Sequence, residues 1–201
     1  MGAATMTSAA PDSAPDWAHP PAGGYTAEDL DTLPGLPPHT ELIDGSLVFM
    51  IPQTKFHLRV LRLFEQGLLR TVPDHLEVLR EFNVILGKQQ RPEPDVMVAR
   101  ADADTGDLQT AVHAADAVLV IEVVSPESEG RDRETKPIKY ARAGIPHFWR
   151  VERGDDGLPV VFAYALDKAT GAYGLTGIHH HRLKVTVPFV IDIDLSAASR
   201  R

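Results

Sequence analysis

Ala117-Val118-Leu119-Val120-Ile121-Glu122-Val123-Val124 is an apolar run of strand length broken by a single acid. So short a continuous run of aliphatic and β-branched residues reads as a strand covered on both faces, in the middle of a sheet. Glu122 is out of place in such a strand, because a buried carboxylate costs several kcal/mol unless a cation or a donor meets it. Either Glu122 pairs with one base and does no chemistry, or it belongs to a site. On the N-terminal side, Pro94-Asp95-Val96-Met97-Val98 carries a second acid at the start of another apolar strand, expected over 95–99. Taken alone, Pro-Asp is a common turn pair.

The elements around these two strands follow from their periodicity. Glu41-Leu42-Ile43-Asp44-Gly45-Ser46-Leu47-Val48-Phe49-Met50 is two apolar runs joined by Asp-Gly, the pair that best supplies the positive φ values of a tight hairpin. Over 53–70, Phe56, Val60, Leu61, Phe64 and Leu68 share one helical face, with Lys55, Arg59, Arg62 and Glu65 outside it. A strand is expected over 76–86, a polar turn over 87–94, and a loop with a short helix over 102–116. Pro137 marks the first turn of a helix ending near Ala143, where Gly144 stops it. Further strands are expected over 147–152, 160–165, 173–178, 183–187 and 190–193. This order predicts an α+β (α/β) domain with a mixed sheet flanked by helices and an N-terminal β-hairpin. Residues 25–195 form the single domain and 196–201 a C-terminal tail. Residues 1–24, rich in Ala, Pro, Gly and Ser, read as a disordered acidic tail, followed by a short helix capped from Thr26.

Composition narrows the chemistry. The 201 residues contain no cysteine, which removes disulfides, thiolate metal sites and cysteine nucleophiles. Any metal must use oxygen or imidazole. No apolar run approaches the ~20 residues of a membrane helix, and no base precedes Lys55 to start a signal peptide, so a cytoplasmic protein is expected. The formal charge is −8, yet residues 1–44 hold seven acids and no base, leaving 20 bases against 21 acids in the rest. That near-neutral body can carry a basic face, and Arg131, Arg133, Lys136, Lys139 and Arg142 are one candidate, either a solvated helix face or a phosphate-tracking patch.

Asp95 and Glu122 can converge from neighbouring strands. Hard carboxylate ligands of this kind suit Mg²⁺ or Mn²⁺, which retain waters and take substrate phosphate. Glu41, at the hairpin start, is a third acid among apolar neighbours. His57 shares a helical face with Leu61, Phe64 and Leu68, and its plain reading is a buried, hydrogen-bonded histidine. Tyr140 lies one helical turn after Lys136 and either contacts phosphate or packs. Trp149 reads as core. His179, His180 and His181 alternate faces on a strand and make no site.

Pro94-Asp95 and Glu122-Val123-Val124, followed by Asp132, Lys136 and Tyr140, resemble the PD-(D/E)XK phosphodiesterase superfamily. The resemblance is closer to its large bacterial branch of restriction-endonuclease-like proteins. It rests there on Glu41-Leu42-Ile43-Asp44-Gly45, His57, Pro94-Asp95-Val96, Ile121-Glu122-Val123-Val124-Ser125-Pro126, Lys136, Tyr140 and Ala143-Gly144-Ile145-Pro146-His147-Phe148-Trp149. It covers about residues 25–195.

What the resemblance implies is a restriction-endonuclease-like core with Asp95, Glu122 and the Val123 carbonyl as ligands of Mg²⁺, for which Mn²⁺ substitutes. Glu41 completes the acidic cluster, and His57 and Tyr140 stand behind it or touch phosphate. The lysine usual two positions after the second acid is Val124 here, and Lys136 is its match on the next helix. The implied protein is a Mg²⁺-dependent endonuclease that hydrolyses DNA phosphodiester bonds, binds DNA weakly and salt-dependently, and works as a homodimer without a membrane. The alternative is a catalytically weak or inactive nuclease fold that serves as a nucleic-acid-binding or interaction module.

Overall fold

A computed structural model describes residues 15–199. In chain order the elements are α1 (Asp29–Thr32), β1 (Thr40–Ile43), β2 (Ser46–Phe49), α2 (Lys55–Leu69), β3 (Leu76–Arg80), β4 (Asn83–Ile85), β5 (Val96–Arg100), β6 (Ala111–His113), β7 (Ala117–Val123), α3 (Lys136–Arg142), β8 (His147–Arg153), β9 (Pro159–Asp167), β10 (Ala172–His179), β11 (Arg182–Val185) and β12 (Ile191–Asp194). Six strands form the central sheet in the order β10-β9-β8-β7-β5-β3. It is mixed, because β7 and β8 run parallel while the other neighbours are antiparallel.

The strands alternate between two cores. Val96, Val98, Leu119, Ile121, Val123, Trp149 and Val151 face α2, which buries Val60, Leu61, Phe64 and Leu68 against them. Met97, Val120 and Phe148 face α3, together with Tyr140 and Ile145. Trp149 is core, as its sequence context predicts. Strands β9 and β10 extend the sheet, whereas β11 and β12 pair as a separate hairpin whose Ile191 and Ile193 pack on the α2 side. Gly67 admits that hairpin to α2: a Cβ there would sit 2.5 Å from the Ile193 side chain.

The Asp44-Gly45 turn forms as its sequence demands, with φ of 51° and 72°. Other expectations need correction. The strand predicted over 76–86 is two strands, β3 and β4, because Glu81 takes φ 50° and turns the chain between them. The 102–116 segment contains the short strand β6, paired in parallel with β4. The helical stretch begins before Pro137, in a π-helical turn at Arg131–Thr135.

Leu195–Ser199 is a 3-10 turn whose Leu195 and Ala198 join the core, so this part of the expected C-terminal tail is packed. For the expected N-terminal tail, residues 1–14 lie outside the described residues. Within 15–24, Trp17 docks on the domain, whereas residues 18–23 are exposed. Trp17 packs edge-on to Phe49 with centroids 5.1 Å apart, its Nε1 donates to the Gly35 carbonyl, and Tyr25 donates to the Trp17 carbonyl. A single large aromatic ring supplies the apolar area that the composition of this segment lacks.

Candidate active site

The interrupted strand β7 delivers Glu122 one residue before its end, on the face that meets α3. Pairing of β5 with β7 brings Asp95, just ahead of β5, to the same edge of the sheet. The hairpin hydrogen-bonds to the chain beside β5, through Leu42 and Arg91 in both directions, and so places Glu41 next to them. Helix α3 opens with Lys136 and carries Tyr140 one turn later, both pointing inward.

The centre of the cluster is the Lys136 ammonium. Nζ lies 2.8 Å from Glu41 Oε1, 3.1 and 3.2 Å from the two oxygens of Glu122, and 3.5 Å from Asp132 Oδ1. Tyr140 donates its hydroxyl to Glu122 Oε1 at 2.5 Å, and the Glu93 N–H donates to Glu41 Oε1 at 2.9 Å. Asp95 is fixed separately: its Oδ2 accepts from the Val123 N–H at 2.6 Å, and His57 Nε2 stands 2.9 Å from Oδ1 without hydrogen-bond alignment. His57 is positioned by the Thr54 cap of α2, whose side chain accepts the His57 backbone N–H.

Burial and charge set the protonation of the cluster. Burial pushes Glu122 well above the ordinary carboxylate range; Lys136 pulls it back, and Asp132, Asp95 and Glu41 add to the rise. Asp132 is raised for the same first reason. Burial alone would lower Lys136, but Glu122, Glu41 and Asp132 outweigh it and hold the ammonium well above the usual lysine value. Lys136 is therefore a fixed positive charge at neutral pH and not a base. Tyr140 is raised by burial and by Glu122, so it keeps its proton and remains a donor. His57, lowered by burial, is raised overall by Asp95.

A cleft of about 340 Å³ opens onto this edge, lined in part by His39, Glu81, Glu93 and Asp95. His39 and Glu81 are both non-glycine residues with positive φ, 57° and 50°, a strained conformation that concentrates at functional positions. His39 Nδ1 lies 2.5 Å from Glu93 Oε1, and Asn83 donates to the other oxygen of Glu93.

The chemistry of the donors fits a hard divalent cation. Four carboxylates meet here, more than Lys136 and His57 neutralise, and Glu41 Oε2 is a buried acceptor without a partner. Among the described residues no three carboxylate or imidazole groups are gathered at ligand distances. Lys136 stands among Glu41, Glu122 and Asp132, and a cation must compete with its contacts.

The structure thus gathers Glu41, Glu122, Lys136 and Tyr140 within hydrogen-bond reach, with Asp95, Val123 and His57 beside them. Val123 joins through its backbone N–H. Sequence reasoning named Asp132 only within the motif that carries the resemblance and gave it no role, and it missed His39, Glu81 and Glu93. The signal for Glu93 was its place in Pro92-Glu93-Pro94-Asp95, where an acid between two prolines has a fixed direction. His39 and Glu81 had no signal, because their conformations are tertiary outcomes.

A mixed sheet with acids and a lysine converging at one strand edge defines a restriction-endonuclease-like protein. The chain belongs to the Uma2 family, described as "Putative restriction endonuclease", whose model matches residues 27–197. Among solved structures it is similar to one described as a "putative nuclease belonging to DUF820" from Anabaena variabilis, with TM-score 0.56 and 16% identity over 88% of this chain and 92% of the other. At that identity the likeness is one of fold. No protein of curated function matches the chain. No helix among the described residues is long and apolar enough to cross a membrane.

Proposed function

We propose that this member of the nuclease family is a Mg²⁺-dependent endonuclease that hydrolyses DNA phosphodiester bonds, with Mn²⁺ able to substitute. The observation that carries the reading is the ammonium of Lys136 within 3.2 Å of both oxygens of Glu122, on the strand next to that of Asp95. Asp95, Glu122 and the Val123 carbonyl are the residues that hold the ion, which when bound acts as a Lewis acid and lowers the pKa of water.

The chain's own groups account for the rest. Val123 N–H holds the Asp95 carboxylate by one oxygen, with His57 standing beside the other, which limits its rotation when phosphate arrives. Tyr140 does the same for Glu122. Lys136 supplies fixed positive charge where negative charge develops on the phosphoryl oxygens as the water oxygen bonds to phosphorus and the bond to the leaving oxygen breaks. Glu41 orients Lys136 and is itself held by the Glu93 N–H. Two such sites are needed to cut both strands of a duplex, which supports a homodimer as the working unit.

Supercoiled plasmid incubated at low salt with Mg²⁺, Mn²⁺ or EDTA tests the proposal. Nicking or linearisation is expected with either metal and not with EDTA, and is expected to disappear in Asp95→Ala and in Lys136→Ala. Cutting that persists in EDTA, or that both variants retain, overturns the assignment. A folded protein that never cuts is a binding module.

A further inference from the structure

Helix α3 covers only part of its side of the sheet. On that side, register places Phe148 beside Tyr164 and Tyr164 beside Leu175, and likewise Arg150 beside Phe162 and Phe162 beside Ile178. These side chains share one face across β8, β9 and β10. Ile138, Leu175 and Ile178 are each about half exposed there, an unusual concentration of apolar surface. Between this floor and the outer flank of α3 runs a groove of about 470 Å³, whose lining includes Arg133, Arg142, Arg150, Tyr164 and Tyr173 and contains no acid.

The guanidinium groups are arranged around the rings. Arg150 lies over Phe162 at 4.8 Å and Tyr164 at 5.7 Å, and Tyr164 and Tyr173 both stack against Phe148. Arg150 and Arg133 are held by one carboxylate, Glu152, at 2.7 and 2.6 Å, and Arg133 also contacts Glu129. Arg142 has no ion-pair partner at bonding distance among the described residues. Set against Glu129 and Glu152, the three arginines leave this face with one positive charge in excess, at Arg142. A second copy of the same face would bring arginines against arginines, so charge argues for an anionic occupant. Flat rings, aliphatic side chains and guanidinium groups on an open sheet face match an occupant that alternates phosphates with planar bases.

We infer that this groove, with the sheet face that continues it through Leu175 and Ile178, is a binding site for single-stranded nucleic acid, with Arg142 meeting phosphate and Tyr164, Leu175 and Ile178 meeting bases. The site is separate from the Lys136 cluster, since α3 turns Lys136 and Tyr140 inward and Arg142 outward. It extends the nuclease reading by giving a frayed or displaced strand a place to lie, but binding there needs no cutting.

The test is fluorescence anisotropy of a labelled oligothymidylate in EDTA at low salt, where hydrolysis does not interfere. Arg142→Glu and Leu175→Asp alter exposed residues outside the catalytic cluster and leave the fold intact. Each is expected to weaken binding roughly tenfold, a scale set by the loss of a phosphate contact or a base contact. Arg70→Glu, an equal charge change at the far end of α2, is expected to stay within about twofold. Three outcomes overturn the assignment: unchanged affinity in both groove variants, an equal loss in Arg70→Glu, or a dimer in gel filtration that either groove variant dissolves. Plasmid cutting scored on the same preparations separates the two readings, because groove-dependent binding without cutting removes the nuclease and leaves the groove.

Discussion

Arg91 and Lys136 are both nearly sealed from solvent, 2% exposed each, and their surroundings differ in one respect that separates scaffold from chemistry. Arg91 meets acceptors that match its two terminal nitrogens, while its Nε is left without a partner among the described residues. Its two terminal nitrogens bond both oxygens of Asp31 at 2.7 and 2.9 Å and the carbonyls of Ala27 and Thr110. The rigid guanidinium fork fits one carboxylate, and the pair clips α1 and the segment before it to the body. Lys136 meets a surplus, since three carboxylates crowd a single ammonium and a fourth stands nearby. No structural requirement is served by that excess, which favours ionisation of the lysine, opposes ionisation of Glu122 and Asp132, and leaves Glu41 Oε2 unpartnered. A balanced ion pair between a buried arginine and a half-exposed aspartate ties a fold together, whereas an unbalanced buried cluster is poised to accept another cation.

Removing the ammonium tests that contrast most severely. Lys136→Met is expected to abolish cutting and to cost about 3–5 kcal/mol at neutral pH, because three buried carboxylates lose their counter-charge. Acids whose pKa is higher folded than unfolded lose stability as pH rises above the unfolded value. Thermal unfolding of Lys136→Met is therefore expected to recover on acidification toward the ordinary carboxylate range, and to recover at neutral pH when Mn²⁺ is added. Indifference to both would mean that the surplus charge is not what the lysine balances.

Arg91→Ala is expected to cost less, about 2–3 kcal/mol, through lost hydrogen bonds and the cavity left behind. Its midpoint in denaturant should not respond to Mn²⁺, and its cutting per folded molecule should match the parent. A metal-dependent rescue of Arg91→Ala would erase the distinction between the two cations. Glu122→Gln should show the reverse of Lys136→Met in stability. Neutralising one acid of the surplus while leaving the Tyr140 acceptor is expected to raise stability by about 1 kcal/mol, or roughly 2–4 °C in Tm, as cutting is lost. The smallest effect concerns Asp31. Its hydrogen bond with Arg91 holds its carboxyl below the usual 3.8, so its contribution is present above that value and fades as pH falls through the lowered one. Asp31→Asn should flatten only that acid limb of a stability profile.

Much of this was legible in the chain. The Asp44-Gly45 turn, the apolar face of α2 and the run of β7 each carry their structure locally, in a φ requirement or a period. Glu122 stood out as an acid that needs either a paired base or a site, Asp95 and Glu41 stood out as further acids beside apolar runs, and the resemblance joined the three. Asp132 was quoted in the motif but given no role, because the run around it reads as a basic face, solvated or phosphate-tracking. Asp132 and Lys136 are four residues apart and share the inner face of the helical stretch, but two charged side chains at that spacing read equally well as a solvent-exposed pair. The structure breaks up the candidate basic run: Lys136 is buried in the site, Lys139 pairs with Asp44, and Arg133 pairs with Glu129 and Glu152. Segment 15–24 was misread because composition averages over residues, and one tryptophan was enough.

That tryptophan matters for how the protein is handled at the bench. The family match begins at residue 27, the natural place to trim a chain for expression. Trp17 lies outside it and covers Phe49 at the tip of β2, the strand paired with the one that bears Glu41. A version shortened to the family boundary exposes the outer face of that hairpin, and weak activity in it would report a loosened Glu41 and not the competence of the catalytic groups.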